Sequence, residues 1–242
     1  MIWAVAPLKN LVSGKTRLSG VLAPSERRAL AQAMVEDLLS VLVGHRMLEG
    51  ILLISDDPSA ELIARKYAIE FLEDARPGGS GLNDAVGAAR ELLGQRGVQD
   101  LMVLHSDLPL LQPADIDDLI HLYAQPGVDV VIAPDLAGLG TNILMMPSAP
   151  GLDLHYGRDS CPAHQRAAAA RNLQVRLLYR ESTGLDVDSP GDLLHVYHRL
   201  QEGESASHCS RLLLAADVAR RLAVMERSGL GLDPLEEQHG AI

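Results

Sequence analysis

The chain has 242 residues and a formal net charge of -11, and 47% of its residues are apolar while only 3% are aromatic. That length fits one large α/β domain, with or without a short appendage, around an aliphatic core. The acidic balance argues against a non-specific nucleic-acid surface, which needs clustered Lys and Arg, and no apolar run approaches the length of a membrane span.

Ile2 to Ala6 reads as a buried strand ended by Pro7, and 8–19 as a polar, basic loop punctuated by Gly14. The start MIWAVAPLKN turns polar too soon for a signal peptide and reads as a first strand, and the lack of a disulfide framework fits a reduced cytoplasmic compartment. Ser25 is placed to cap a helix whose stripe holds Leu30, Met34, Leu38 and Val41. ILLIS after Gly50 is a strand that stops at Asp56-Asp57-Pro58, followed by a helix over Ser59 to Lys66 and a short strand near Ile69 to Leu72. The glycines of 76–81 demand a loop, after which Leu82, Val86, Ala89 and Leu93 mark a helix ending near Gly94 and Gly97. LMVLH (101–105) is a strand running into Ser106-Asp107-Leu108-Pro109. Pro113 opens a helix with Ile116, Leu119, Ile120 and Tyr123. Strands are expected over 128–134, after the glycine turn in 138–147, and over 175–179, with a helix closing at Ala167 to Arg171. LDVDSPGDLLHVYHRL predicts a short strand, a turn at Ser189-Pro190-Gly191 and a helix. QEGESASHCS (201–210) reads as a linker to a last helix, Arg211 to Arg227, with a loose tail from Gly229. Strand and helix alternate, which implies a three-layer α/β fold with a mostly parallel, mixed sheet. The division expected is 1–200 for the main domain and 201–242 for a linker and helical extension.

Open α/β sheets place ligands at the carboxyl ends of strands. Three polar clusters fall there: the 7–17 loop, the SDLP turn at 106–109 and LDVD at 185–188. Lys9, Gly14, Lys15 and Arg17 suit a triphosphate or form an ordinary basic surface loop; GKT here lacks the first glycine of a Walker A motif. Asp107, Asp186 and Asp188 suit Mg²⁺, a hard ion that takes oxygen ligands, although each alone is equally a turn or cap residue. Asp186 and Asp188 are two apart, so on an extended strand both point the same way. Gly78, Gly79, Gly81 and Asn83 permit close backbone approach to a nucleotide, or make only a turn. Thr141 and Asn142 after Gly138 and Gly140, with Tyr156, Gly157, Arg158, Ser160 and His164 downstream, supply hydroxyls, amides and an Arg that suit a phosphate and carboxylate. Ser160 is also a potential helix cap, and His164 a potential helix-core residue. Cys161 has no base in its pattern and is a poor nucleophile candidate. The two cysteines, Cys161 and Cys209, make neither a disulfide framework nor a metal knuckle.

In this order the clusters resemble the phospholactate guanylyltransferases of coenzyme F420 biosynthesis, of the glycosyltransferase-A-like, Rossmann-like nucleotidyltransferase superfamily. The marks are PLKNLVSGKTRLS at 7–19, GGSGLNDA at 78–85, HSDLPLL at 105–111, GTN at 140–142, YGRDS at 156–160 with His164, and GLDVDSPGDL at 184–193. The chain departs from the usual pattern at Cys161, where an aromatic is common, and at Gly14, where alanine is common. The resemblance implies transfer of GMP from GTP to a phosphoacid (2-phospho-L-lactate, phosphoenolpyruvate or 3-phospho-D-glycerate), with Mg²⁺ as cofactor and pyrophosphate released. It makes Asp107, Asp186 and Asp188 the metal group and Lys15 and Arg17 donor-phosphate contacts. It puts Gly81 and Asn83 in the nucleotide region and Thr141 and Ser160 at the acceptor, and homodimers are familiar among such enzymes. A nucleotidyltransferase using another base or acceptor, or an inert nucleotide-binding protein, is the competing expectation.

Overall fold

Aliphatic runs build one sheet in the computed structural model, which describes residues 1–9, 11, 15–74, 81–203 and 207–228. Among these, seven strands are present: β1 (Ile2–Leu8), β2 (Gly50–Ser55), β3 (Glu70–Glu73), β4 (Asp100–Leu104), β5 (Val130–Pro134), β6 (Thr141–Pro147) and β7 (Val175–Leu177). They lie side by side as β3-β2-β1-β4-β6-β5-β7. β6 runs antiparallel to β4 and β5, and every other pairing is parallel. This is the mixed, mostly parallel sheet that the alternation of strand and helix implies.

The helices are α1 (Pro24–Leu42), α2 (Pro58–Tyr67), α3 (Gly81–Gln95), α4 (Pro113–Tyr123), α5 (Ser160–Ala170), α6 (Glu181–Gly184), α7 (Pro190–Glu202), α8 (His208–Leu213) and α9 (Ala216–Arg227), with a 3-10 turn over Thr16–Gly20. Val5, Leu52, Val103 and Leu144 form one buried cluster with Val86 and Ala89 of α3 and Ala168 of α5. Sheet residues of the opposite parity, such as Leu53, Met102 and Met145, are buried as well. Both faces are therefore covered, which is why the strands read as continuous apolar runs. Each such Leu, Ile or Val contributes about 1.5–3 kcal/mol by leaving water.

The chain divides into two compact units, Met1–Asn10 with Leu38–Asp186, and Leu11–Asp37 with Val187–Ile242. The first holds the sheet. Within the second, α8 contacts both α7 and α9, and Leu193, Leu200, Leu213 and Leu222 are buried. Arg221 of α9 donates to both carboxylate oxygens of Glu26, at 2.9 and 2.5 Å, and to the Val21 carbonyl at 3.0 Å. No helix among the described residues is long and apolar enough to cross a membrane.

Several boundaries differ from expectation, each for a local reason. β1 continues through Pro7, because its ladder to β4 ends at Val5 and the missing N–H leaves no rung unmade. α1 starts at Pro24 rather than after a Ser25 cap, with the Ala23 N–H donated to Glu26 at 2.7 Å. Residues 185–188 are an irregular connection from α6 to α7, not a strand. The expected last helix is two, α8 and α9, broken at Leu214 and Ala215, and Ser207 caps α8 by accepting the Ser210 N–H.

Candidate functional site

Strands β2 and β3 lie on one side of β1, and β4 lies on the other. Chains leaving β1 and β4 therefore part at their carboxyl ends and open a crevice, the usual ligand position of such sheets. Exposed Lys9 follows β1, and the turn His105 to Pro109, with half-buried Asp107, follows β4. Being antiparallel, β6 begins at this same edge, and the His105 N–H donates to the Asn142 carbonyl at 2.9 Å.

The β5–β6 ladder shifts here: Ala133 pairs with Ile143, but Pro134 pairs with Thr141, so Asn142 is an extra residue in β6. A bulge of this kind re-aims side chains. It turns the buried Asn142 amide onto the end of α6, donating to the carbonyls of Thr183 at 3.1 Å and Gly184 at 3.0 Å, and reaching Asp186 Oδ1 at 3.4 Å. α6 is tied down further by Ser182, whose hydroxyl donates to Asp115 at 2.8 Å, and by the Leu136 N–H to the Gly184 carbonyl at 3.1 Å. With 183–186 held so, one carboxylate oxygen of Asp186 and one of Asp107 lie within 4.8 Å of each other. Two anionic oxygens at that separation repel, and a hard divalent cation such as Mg²⁺ fits the donor set.

The bulge also presents Thr141, 1% exposed, to α5, where its hydroxyl lies 3.1 Å from His164 Nδ1. The other ring nitrogen, Nε2, accepts the backbone N–H of His155 at 2.9 Å. Burial, then the neighbouring His155 and His105, push the His164 pKa down to about 4, so the ring is neutral at ordinary pH. Tyr156 packs edge-on to it, with ring centroids 4.9 Å apart. The buried Tyr156 hydroxyl has no hydrogen-bond partner among the described residues, and burial raises its pKa. Asn83 clamps the backbone of Tyr156 from both sides, accepting its N–H at 2.7 Å and donating to its carbonyl at 2.9 Å. Gly157, at φ 133, then turns the chain into α5, whose first residue is the buried Ser160. The helix is preceded by Asp159 in the left-handed region, so Ser160 is its first residue and not its cap. Burial also raises the Cys161 thiol pKa, which keeps it protonated and removes it as a nucleophile.

In the second unit, Lys15 adopts a left-handed backbone (φ 56) at the start of the 3-10 turn, and its Nζ lies 2.9 Å from Asp188 Oδ1. Such a backbone is uncommon in a non-glycine residue, and Ala68, Asp159 and Asn172 share it at other turns and helix ends. Arg17 is exposed. Asp188 is not the cap of α7. That role falls to Ser189, which accepts the Asp192 N–H, while Asp192 accepts the N–H groups of Asp188 and Ser189.

The structure thus brings together Asp107 with Asp186, Thr141 with His164, and Lys15 with Asp188. Gly14, Gly78 and Gly79 lie outside the described residues. Gly81, at φ 73, opens α3. Asp135 lies outside the polar clusters read from the sequence: its carboxylate accepts the Leu139 N–H at 2.8 Å and stands where a Cβ on Gly140 would come within 2.7 Å, so the two residues shape the turn before Thr141. An Asp four residues before Leu139, ahead of a Gly-rich turn, is the signal that points to it.

A family model described as CofC-like guanylyl transferase matches residues 2–220. A phosphoenolpyruvate guanylyltransferase of Conexibacter woesei is 38% identical over 195 residues, covering 79% of this chain and 85% of its own length. A 2-phospho-L-lactate guanylyltransferase of Methanothermobacter thermautotrophicus is 31% identical over 234 residues, 96% of each chain. Among solved structures, a Desulfovibrio desulfuricans protein assigned as a nucleotide-diphospho-sugar transferase superposes with a TM-score of 0.76 at 19% identity, covering 91% of this chain and 97% of that one. A CMP:2-keto-3-deoxy-manno-octonic acid synthetase complexed with CTP gives 0.56 at 14% identity over 83% and 98%. At such identities these two likenesses speak to the fold.

Proposed function

The chain belongs to the CofC-like guanylyl transferase family, and on that footing we propose that it transfers GMP from GTP to a small phosphoacid in coenzyme F420 biosynthesis. The acceptors are those named for its relatives, phosphoenolpyruvate and 2-phospho-L-lactate, with 3-phospho-D-glycerate as a third of the same class. The observation that carries this reading is the pair Asp107 and Asp186, held within 4.8 Å of each other at the carboxyl edge of the sheet.

In this reaction an ionised phosphate oxygen of the acceptor attacks the α-phosphorus of GTP. A phosphoanhydride forms, the bond to the β-phosphate breaks, and pyrophosphate leaves with both electrons of that bond. An ionised phosphate is already a nucleophile and needs no general base. His164 and Cys161 are not available as one, since both His164 nitrogens are engaged and the Cys161 thiol is held protonated. What remains for the protein is positioning and charge stabilisation.

Asp107 and Asp186 are the proposed ligands of Mg²⁺, and Asp188, two residues along the chain, belongs to the same proposed set. The ion supplies neutralisation of phosphate charge. Lys9, Lys15 and Arg17 are proposed to meet the donor phosphates, and the 79–83 region, with Gly81 and Asn83, the nucleoside. Thr141, Ser160 and the turn at Tyr156 and Gly157 are proposed to meet the phosphoacid. A cytoplasmic location and a homodimer are part of the same reading.

The test is incubation with GTP, Mg²⁺ and each phosphoacid in parallel, with mass spectrometry of products and detection of pyrophosphate. A GMP adduct of one phosphoacid is expected. Product with CTP or a sugar phosphate, and none with GTP plus any phosphoacid, overturns the reading.

A further inference from the structure

The ring of His164 has its tautomer decided by its neighbours. A backbone N–H can only donate, so His164 Nε2, 2.9 Å from the His155 nitrogen, is the unprotonated nitrogen. In a neutral imidazole the proton is then on Nδ1, and Nδ1 donates to the Thr141 hydroxyl oxygen 3.1 Å away. That leaves Thr141 an oxygen already accepting and a hydroxyl proton with no acceptor among the described residues. A buried donor in this state calls for a ligand acceptor. Its place fits one: Thr141 is the first residue of β6, at the edge of the sheet where β4 ends.

Resting on the reaction above, we propose that His164 is a positioning residue that fixes the Thr141 hydroxyl as a hydrogen-bond donor toward the anionic oxygens of the phosphoacid. His164 itself touches no substrate. Left to rotate, a threonine hydroxyl can meet a ligand with its lone pairs or its proton. A bond from Nδ1–H occupies one of the two lone pairs, which biases the hydroxyl to face an anion as donor and disfavours a neutral donor in the same place. The low pKa of the buried ring keeps this arrangement intact across the working pH range.

Two measurements test it. Long-range ¹H–¹⁵N spectra of the histidine-labelled protein, without substrate, are expected to show His164 protonated at Nδ1; protonation at Nε2 overturns the assignment whatever the enzyme does. Kinetically, His164→Leu is expected to raise the acceptor KM roughly 10-fold, the worth of one hydrogen bond, with the GTP KM within about twofold of normal. His164→Asn, which keeps an N–H near the Nδ1 position, should recover most of that loss. Thr141→Val should match His164→Leu, and the double variant should be no worse than either. Additive losses, or a GTP KM that rises in step, make His164 a packing residue and overturn the inference. Absence of turnover by the unsubstituted enzyme overturns the reaction and the donor role of Thr141, but not the tautomer, so the two failures are distinguishable.

Discussion

Asn142 and Asp186 are polar residues 3.4 Å apart, yet their substitutions should differ in kind. Asn142 is 2% exposed and satisfies two carbonyls, those of Thr183 and Gly184. Asn142→Leu leaves both unpaired and should cost about 1–3 kcal/mol, read as a lower urea midpoint, with turnover falling as Asp186 loosens. Asp186→Asn relieves repulsion from Asp107, so the metal-free protein should keep or raise its midpoint while turnover drops about 100-fold or more. A midpoint that falls as far as that of Asn142→Leu would make Asp186 a structural residue. His164 carries a pH signature as well. Its folded pKa of about 4 is below the ordinary 6.5, so its contribution to stability is full above the ordinary value and is lost as pH falls toward 4. His164→Leu should flatten that part of the midpoint-against-pH curve. A curve unchanged in the variant would place the titration elsewhere. The residue types at these positions are legible in the sequence. Their division of labour is not, because it depends on a bulge that places Thr141 and Asn142 in different company and on a four-residue helix no periodicity announces.

At the scale of elements, the buried strands were legible because burial on both faces leaves continuous apolar runs, and the sheet edge followed from where those runs end. Helix limits were less so, because caps lie in side-chain geometry. α8 shows the reason. Its first amides, His208 and Cys209, are taken by both oxygens of Asp37 at 2.6 and 2.9 Å, a partner over 170 positions away in the chain that no local pattern reveals. Asp37→Ala should therefore destabilise by about 1–2 kcal/mol, as loss of a helix cap does, and hydrogen exchange should quicken first across 208–213. Uniform quickening across the sheet would show that α8 unfolds only with everything else. β2 has a different constraint. A Cβ on Gly50 would fall 2.5 Å from the Trp3 ring of β1, so the glycine there serves close packing and not backbone freedom. Gly50→Ala should cost about 1–3 kcal/mol by displacing the indole, and Trp3, the single tryptophan, reports it by fluorescence. An unshifted emission spectrum and an unchanged midpoint would sink that expectation.

The molecule as a whole carries a formal charge of -11, and the substrates proposed for it are anions as well. Long-range electrostatics therefore work against encounter, and any attraction must be local. Two local sources are at hand in the proposal: the basic residues Lys9, Lys15 and Arg17, and a cation at Asp107 and Asp186. The cation has a consequence that needs no substrate. An ion binding the folded state and not the unfolded chain stabilises by RT ln(1 + [L]/Kd), which is about 1.4 kcal/mol at ten times Kd. For a chain of this size that raises Tm by roughly 3–6 °C. Non-specific screening of the acidic surface also raises Tm, so the comparison is Mg²⁺ against KCl of equal ionic strength after chelation. The Mg²⁺ increment is expected in the unsubstituted protein and should vanish in Asp107→Asn and Asp186→Asn, while the KCl increment stays in all three. An Mg²⁺ increment of the same size in both variants would show that the ion reads the diffuse charge of the surface, and the carboxylate pair would lose its claim to a metal.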